Sequence, residues 1–129
     1  MDWSLYVGVP YAERGRGPTN YDCWGLVREI YRTGRGITLP SLDECETIEA
    51  GMTEHILSRF EPMSKPYQSQ PYDIVVMRTL YDAHIGHVGV VIDEQGNMLH
   101  LHSCASSVIE NVHASLFSRL IVGVYRWAV

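Results

Sequence analysis

The chain changes its apolar rhythm partway along, and that change limits the folds open to it. Cys23, Leu26, Val27, Ile30 and Tyr31 recur at helical spacing, which predicts a helix over 23–33. Asp22 can cap its start, and Gly34 with Gly36 ends it. A helical turn capped by Ser41 is expected within 41–49. A second helix is expected over 53–60, with Met52, Ile56 and Phe60 on one face. After Pro62, Pro66 and Pro71 the pattern becomes one of strands, over 73–77, 87–92, 98–102, 108–112 and 120–127, read as an antiparallel meander. The polar turn Asp93–Asn97 marks a hairpin between the second and third of them. Helices first and strands afterwards predict an α+β fold, with N-terminal helices packed on an antiparallel β-sheet. The 129 residues suit a single domain over 1–129, since neither half could bury a core alone.

A net charge of -5 argues against a nucleic-acid partner, which calls for a basic face. No apolar run approaches the roughly 20 residues needed to span a bilayer. The start, Met1–Tyr6, lacks the basic and apolar regions of a secretory signal. The expectation is a chain made in the cytoplasm without membrane insertion. Cys23, Cys45 and Cys104 are odd in number and irregular in spacing, so no disulfide framework or zinc pair is expected.

Cys23 stands where a glycine-rich segment turns into a helix. The unpaired N–H groups and positive dipole end of a first turn favour thiolate, the nucleophilic form. A buried, inert thiol fits the same position equally well. A working thiol also needs an imidazole to take its proton and a polar group to hold that imidazole. His87 begins an apolar strand between Gly86 and Gly89, glycines that mark close approach of a backbone or ligand. It is the expected base. His100 lies on the paired strand, where facing side chains come within about 5 Å, and is the expected orienting residue. His102 shares the face of His100 and competes for that role. His84 and His87 form a His-x-x-His pair without a third ligand or a helical general-base Glu, so neither metal nor other cofactor is expected. His55 and His113 are expected on solvated faces. Tyr11 is either a loop aromatic or a phenol directed at the substrate or its oxyanion. Asp22 is a helix cap, a carboxylate facing a substrate amine, or both.

With these residues in view, the chain resembles the NlpC family of cell-wall cysteine endopeptidases, a compact papain-like group. The resemblance rests on Gly8-Val9-Pro10-Tyr11, Tyr21-Asp22-Cys23-Trp24-Gly25-Leu26-Val27, Tyr72-Asp73-Ile74-Val75-Val76, His87-Val88-Gly89-Val90-Val91 and Met98-Leu99-His100. These occur in the family's order and span nearly the whole chain. The resemblance implies Cys23 as nucleophile, His87 as general base and His100 as orienting residue. Tyr11 would line the site and help hold the oxyanion, and Asp22 would meet the peptide stem.

Three positions depart from the family pattern. Trp24 follows the cysteine where Ser is usual, which puts subsite shape in question. Tyr72-Asp73 replaces Gly-Asp, and Arg14-Gly15-Arg16-Gly17 replaces a glycine pair. Trp24 is similar to the phage and prophage tail-associated branch. That branch implies tail proteins as partners, a peptidoglycan stem peptide as substrate and action at the cell wall as part of a virion. Trp3, Tyr6 or Trp127 could form an apolar docking patch for such partners, with core packing the alternative. Two other functions share the sequence features: a tail assembly component with a vestigial site, and a papain-like acyltransferase or amidase effector.

Overall fold

The computed structural model describes residues 1–79, 85–102 and 105–128. His84 and Cys104 lie outside them. A 3-10 turn at Trp3–Tyr6 precedes α1 (Cys23–Arg35), α2 (Ile48–Arg59) and β1 (Phe60–Pro62). Then follow β2 (Ile74–Arg78), β3 (Ile85–Val91), β4 (Asn97–His100), β5 (Val108–Asn111), α3 (Ser115–Leu120) and β6 (Ile121–Trp127). This is the expected α+β class.

Helix α1 has the expected caps. The Asp22 carboxylate accepts from the Gly25 N–H at 2.6 Å, and Gly36 closes the helix in the left-handed region at φ 64°. Its inner face buries Trp24, Leu26, Val27, Ile30 and Tyr31. Helix α2 starts earlier than expected, because Thr47 caps it through the Ala50 N–H. Ser41 caps only a turn, accepting from the Asp43 N–H at 3.3 Å.

The six strands form one sheet in the order β1-β6-β2-β3-β4-β5, with every neighbouring pair antiparallel. The expected simple meander is therefore corrected. Strands β2 to β5 follow it, but β6 returns across the sheet to pair with β2 and β1. Strand β1 was not expected: it has three residues, ends on a proline and buries only Phe60. Helix α3 was also missed, and the reason is similar, since Phe117 is its only buried residue.

Both sheet faces are covered. Ile74, Val76, Val88, Val90, Leu99 and Leu101 join α1 and α2 in one apolar cluster. Val75, Met77, Val91 and Met98 point the other way, into a second cluster with Val112 and Phe117 of α3. Alternate residues of β2 thus face opposite clusters, so Ile74 to Met77 are all buried. Trp3, Tyr6 and Trp127 pack against the first cluster, with Trp127 edge-on to Phe60 at 5.1 Å. All three are partly buried there. His55 is also a correction. Its ring lies against Trp24 and Phe60, not on a solvated face. His113 is exposed. No helix among the described residues is long and apolar enough to cross a membrane.

Candidate active site

The N-terminal loop builds one wall of the site by threading against the start of α1. Tyr21 N–H donates to the Pro10 carbonyl and Ala12 N–H to the Tyr21 carbonyl, which holds Tyr11 beside the helix entrance. Gly25 lies so close to this loop that a Cβ there would stand 2.1 Å from the Gly15 carbonyl oxygen. Arg16, read from the sequence only as a departure from a glycine pair, donates to Asp22 Oδ1 at 2.7 Å. That same oxygen accepts the Gly25 cap. Asp22 is thus buried, fixed as a cap, and still on the border of the cleft.

The cleft encloses about 610 Å³. Tyr11, Asp22 and Cys23 border it, with Glu49 and Met52 of α2 and with Gly86, His87 and His102 from the sheet side. No residue of the 62–71 segment does. The Cys23 thiol makes a long contact of 4.0 Å with the Gly86 carbonyl oxygen, one residue before His87.

His87 Nε2 and His100 Nδ1 are 2.8 Å apart and both rings are buried. Strand register explains the approach. Gly89 pairs with His100, so His87 lies diagonal to His100 on the same face. A Cβ at Gly89 would stand 3.1 Å from the His100 Cβ, so its absence leaves the imidazole room to lean toward His87. The hairpin that fixes this register is tied by Asp93, whose carboxylate accepts from the Gln95 and Asn97 backbone N–H groups. His102 has a different relation to His87. The two rings stack 3.9 Å apart with planes inclined by 13°.

The nitrogens of His87, His100 and His102 lie within 4.8 Å of one another, a histidine trio that the sequence did not reveal as a set. The His87 and His102 rings are nearly parallel, so an ion bound to both would sit out of at least one ring plane. Other groups near the site also escaped the sequence reading. Phe117 meets His100 edge-on at 5.4 Å, and the Glu110 carboxylate lies 3.9 Å from His100 Nε2.

Trp24, expected to shape a substrate subsite, is corrected. Its ring is fully buried, donates from Nε1 to the Pro40 carbonyl at 2.8 Å, and does not border the cleft. Helical spacing turns it inward while Cys23 faces the cleft.

Burial works against the expected thiolate-favouring helix start. Burial pushes the Cys23 thiol up to about 12, and the Asp22 charge adds to the rise. The N–H groups of Val88 and Trp24 pull the other way without overcoming it. Burial likewise holds His87 well below the usual imidazole range and His100 down at about 4, with the neighbouring histidines adding to both. Burial raises the Tyr11 phenol, and the Cys23 and Asp22 charges raise it further. Both shifts favour the uncharged forms of Cys23 and His87.

Those two buried histidines predict a stability profile. An unfolded histidine takes a proton near pH 6.5, whereas the folded pair resists protonation until much lower pH. The unfolded state therefore binds more protons as pH falls from 7 toward 4, and stability falls with it. The slope approaches about 1.4 kcal/mol per pH unit for each histidine. Urea unfolding at pH 7 and pH 5 should show the loss, and a flat profile would contradict it.

Comparison with known proteins adds the kinship. Residues 8–126 match the NlpC/P60 family. The probable endopeptidase p60 of Listeria seeligeri is 28% identical over 121 residues, which cover 94% of this chain and 20% of that protein. The chain thus spans about a fifth of the curated relative's length. An NlpC/P60 family protein from Bacillus cereus ATCC 10987 aligns in structure with a TM-score of 0.71 and 22% identity, over 96% of this chain and 37% of that one. The NlpC/p60 domain of peptidoglycan hydrolase SagA aligns with a TM-score of 0.58 and 15% identity, over 98% and 92% of the two chains. At these identities the structural likeness carries the fold alone. The match over nearly the whole sequence makes this chain a member of the NlpC/P60 family.

Proposed function

We propose that the protein is a cysteine endopeptidase that hydrolyses the peptide stem of peptidoglycan. The carrying observation is that Cys23 and His87 border one cleft while His87 is held from behind by His100 at 2.8 Å. The kinship to a probable endopeptidase and to a peptidoglycan hydrolase supports the substrate class. Within the stem, the bond between D-γ-glutamate and the diamino acid is the proposed target.

His87 has one nitrogen committed to His100, which leaves Nδ1 to take the Cys23 proton. Sulfur attack on the scissile carbonyl and transfer of the thiol proton to Nδ1 proceed together. The resulting oxyanion can accept from the Cys23 N–H and the Tyr11 hydroxyl. His87 then gives its proton to the leaving amine, and a thioester remains. Water, deprotonated by His87, releases the acid and restores the thiol. Asp22 offers a carboxylate at the cleft border to a substrate amine. This sequence of steps requires no metal or organic cofactor.

The test is incubation with synthetic stem peptides and mass spectrometry of the products. A free D-glutamyl γ-carboxylate and a free diamino-acid amine are expected. No cleavage of any stem bond would sink the reading, while a new amide or ester would make the protein an acyltransferase. We also propose assembly with phage tail proteins and delivery to the wall by a virion, a setting suggested by Trp24 after the cysteine. Mass spectrometry of purified virions decides it: a chain found only in cell lysate rules that setting out.

A further inference from the structure

We infer that Glu110 is a positioning residue of this site, acting through His100 on the proton-accepting nitrogen of His87. The inference deepens the proposed peptidase reading and rests on it for its catalytic consequence. His100 has two ring nitrogens. Nδ1 meets His87 Nε2 at 2.8 Å. Nε2 is buried and has no hydrogen-bond partner among the described residues, on a side chain that is 0% exposed. Glu110 Oε1 stands 3.9 Å from it. Two rings also lie against His100: Phe117 offers no acceptor, and His102 makes no hydrogen bond to Nε2.

Two tautomer arrangements fit the 2.8 Å contact, and they differ in chemistry. In the first, His87 Nε2–H donates to His100 Nδ1. His87 Nδ1 then holds a lone pair and can accept the Cys23 proton, while His100 carries its hydrogen on Nε2. In the second, His100 Nδ1–H donates to His87 Nε2. His87 Nδ1 then already carries a hydrogen and cannot act as a base. The choice turns on what faces His100 Nε2. A carboxylate there attracts an N–H and repels a lone pair, so Glu110 selects the first, competent arrangement.

The placement follows from the sheet. Val108 pairs with His100 and Glu110 with Met98, so Glu110 lies diagonal to His100 across the β4–β5 ladder. Its side chain is 42% exposed, which leaves it free to rotate and close the remaining gap. The same carboxylate would favour the imidazolium that forms on His87 during attack.

The experiment combines imidazole 15N spectra of the labelled protein with stem-peptide kinetics, for wild type, Glu110→Ala and Glu110→Gln. Wild type should carry the His100 hydrogen on Nε2. Glu110→Ala should mix the tautomers and lower kcat roughly tenfold with little change in KM. Glu110→Gln should also mix the tautomers, because its amide can turn its oxygen to an Nε2–H or its nitrogen to a bare Nε2 and so selects neither. A purely structural role would leave the tautomer balance unchanged in Gln, which keeps the size and polarity of Glu110. A wild-type His100 protonated on Nδ1 would overturn the inference. So would kcat within about twofold of wild type in both variants. If wild type itself cleaves nothing, the peptidase reading fails, and the tautomer spectra alone decide whether Glu110 directs His100.

Discussion

Cys23→Ala is expected to leave stem-peptide cleavage at background, with kcat down by more than about 10⁴-fold. The magnitude follows from the covalent step. Without sulfur there is no thioester, and His87 has no nearby group to deprotonate except water. The loss should be chemical and not structural. Cys23 is half-buried at a helix start whose caps come from Asp22 and Gly36, so its replacement leaves the capping intact. Unfolding free energy should change by no more than about 1 kcal/mol. The two measurements are cleavage by mass spectrometry and urea unfolding of the same preparation. A folded Cys23→Ala protein retaining more than about a hundredth of wild-type turnover would remove Cys23 from the nucleophile's role.

Trp24→Ser is expected to give the largest stability change and no change of specificity. Ser is the usual residue after the nucleophile in the family that the chain resembles, so the substitution looks conservative from sequence. The structure argues otherwise. The indole is 0% exposed, stands edge-on to His55, and satisfies the Pro40 carbonyl. Its removal leaves a cavity and an unpaired acceptor, at a cost of about 3–5 kcal/mol. Against the 5–15 kcal/mol typical of a whole domain, that should lower the Tm by roughly 10–20 °C. Calorimetry measures the first claim. The stem-peptide product profile, taken well below the new Tm, measures the second. A loss below about 1 kcal/mol, or an altered cleavage site, would restore Trp24 to the substrate.

Trp24 also marks the limit of what the sequence could say. Its neighbour Cys23 and its own helical position were both legible, but which of the two faced the cleft depended on how α1 sits on the sheet. The caps at Asp22 and Gly36 were readable because each acts within a few residues of itself. The β3–β4 hairpin was readable for the same reason, and it brought His87 and His100 to adjacent strands. What failed was non-local or small. Strand β1 is too short to leave a pattern, and helix α3 contributes only Phe117 to the core. The pull of burial on the thiol was not legible, because a dipole can be read from sequence while burial cannot. Glu110 was invisible for a related reason: on β5 it looks like any half-exposed charge until the register sets it diagonal to His100.

The return of β6 gives the two halves of the sheet different histories. The pairing that joins His87 to His100 closes only the few residues around Asp93–Asn97. The pairing of Phe60 with Trp127 spans every strand between them. Loop-closure entropy grows with the length enclosed, so the first contact is entropically cheap and the second is not. The imidazole pair therefore belongs to a neighbourhood the chain can assemble locally. The aromatic floor of Tyr31, Phe60 and Trp127 needs the last strand to cross the whole sheet before β1 has any partner. The longest loop closures of this fold thus lie on the side of the sheet away from its chemistry.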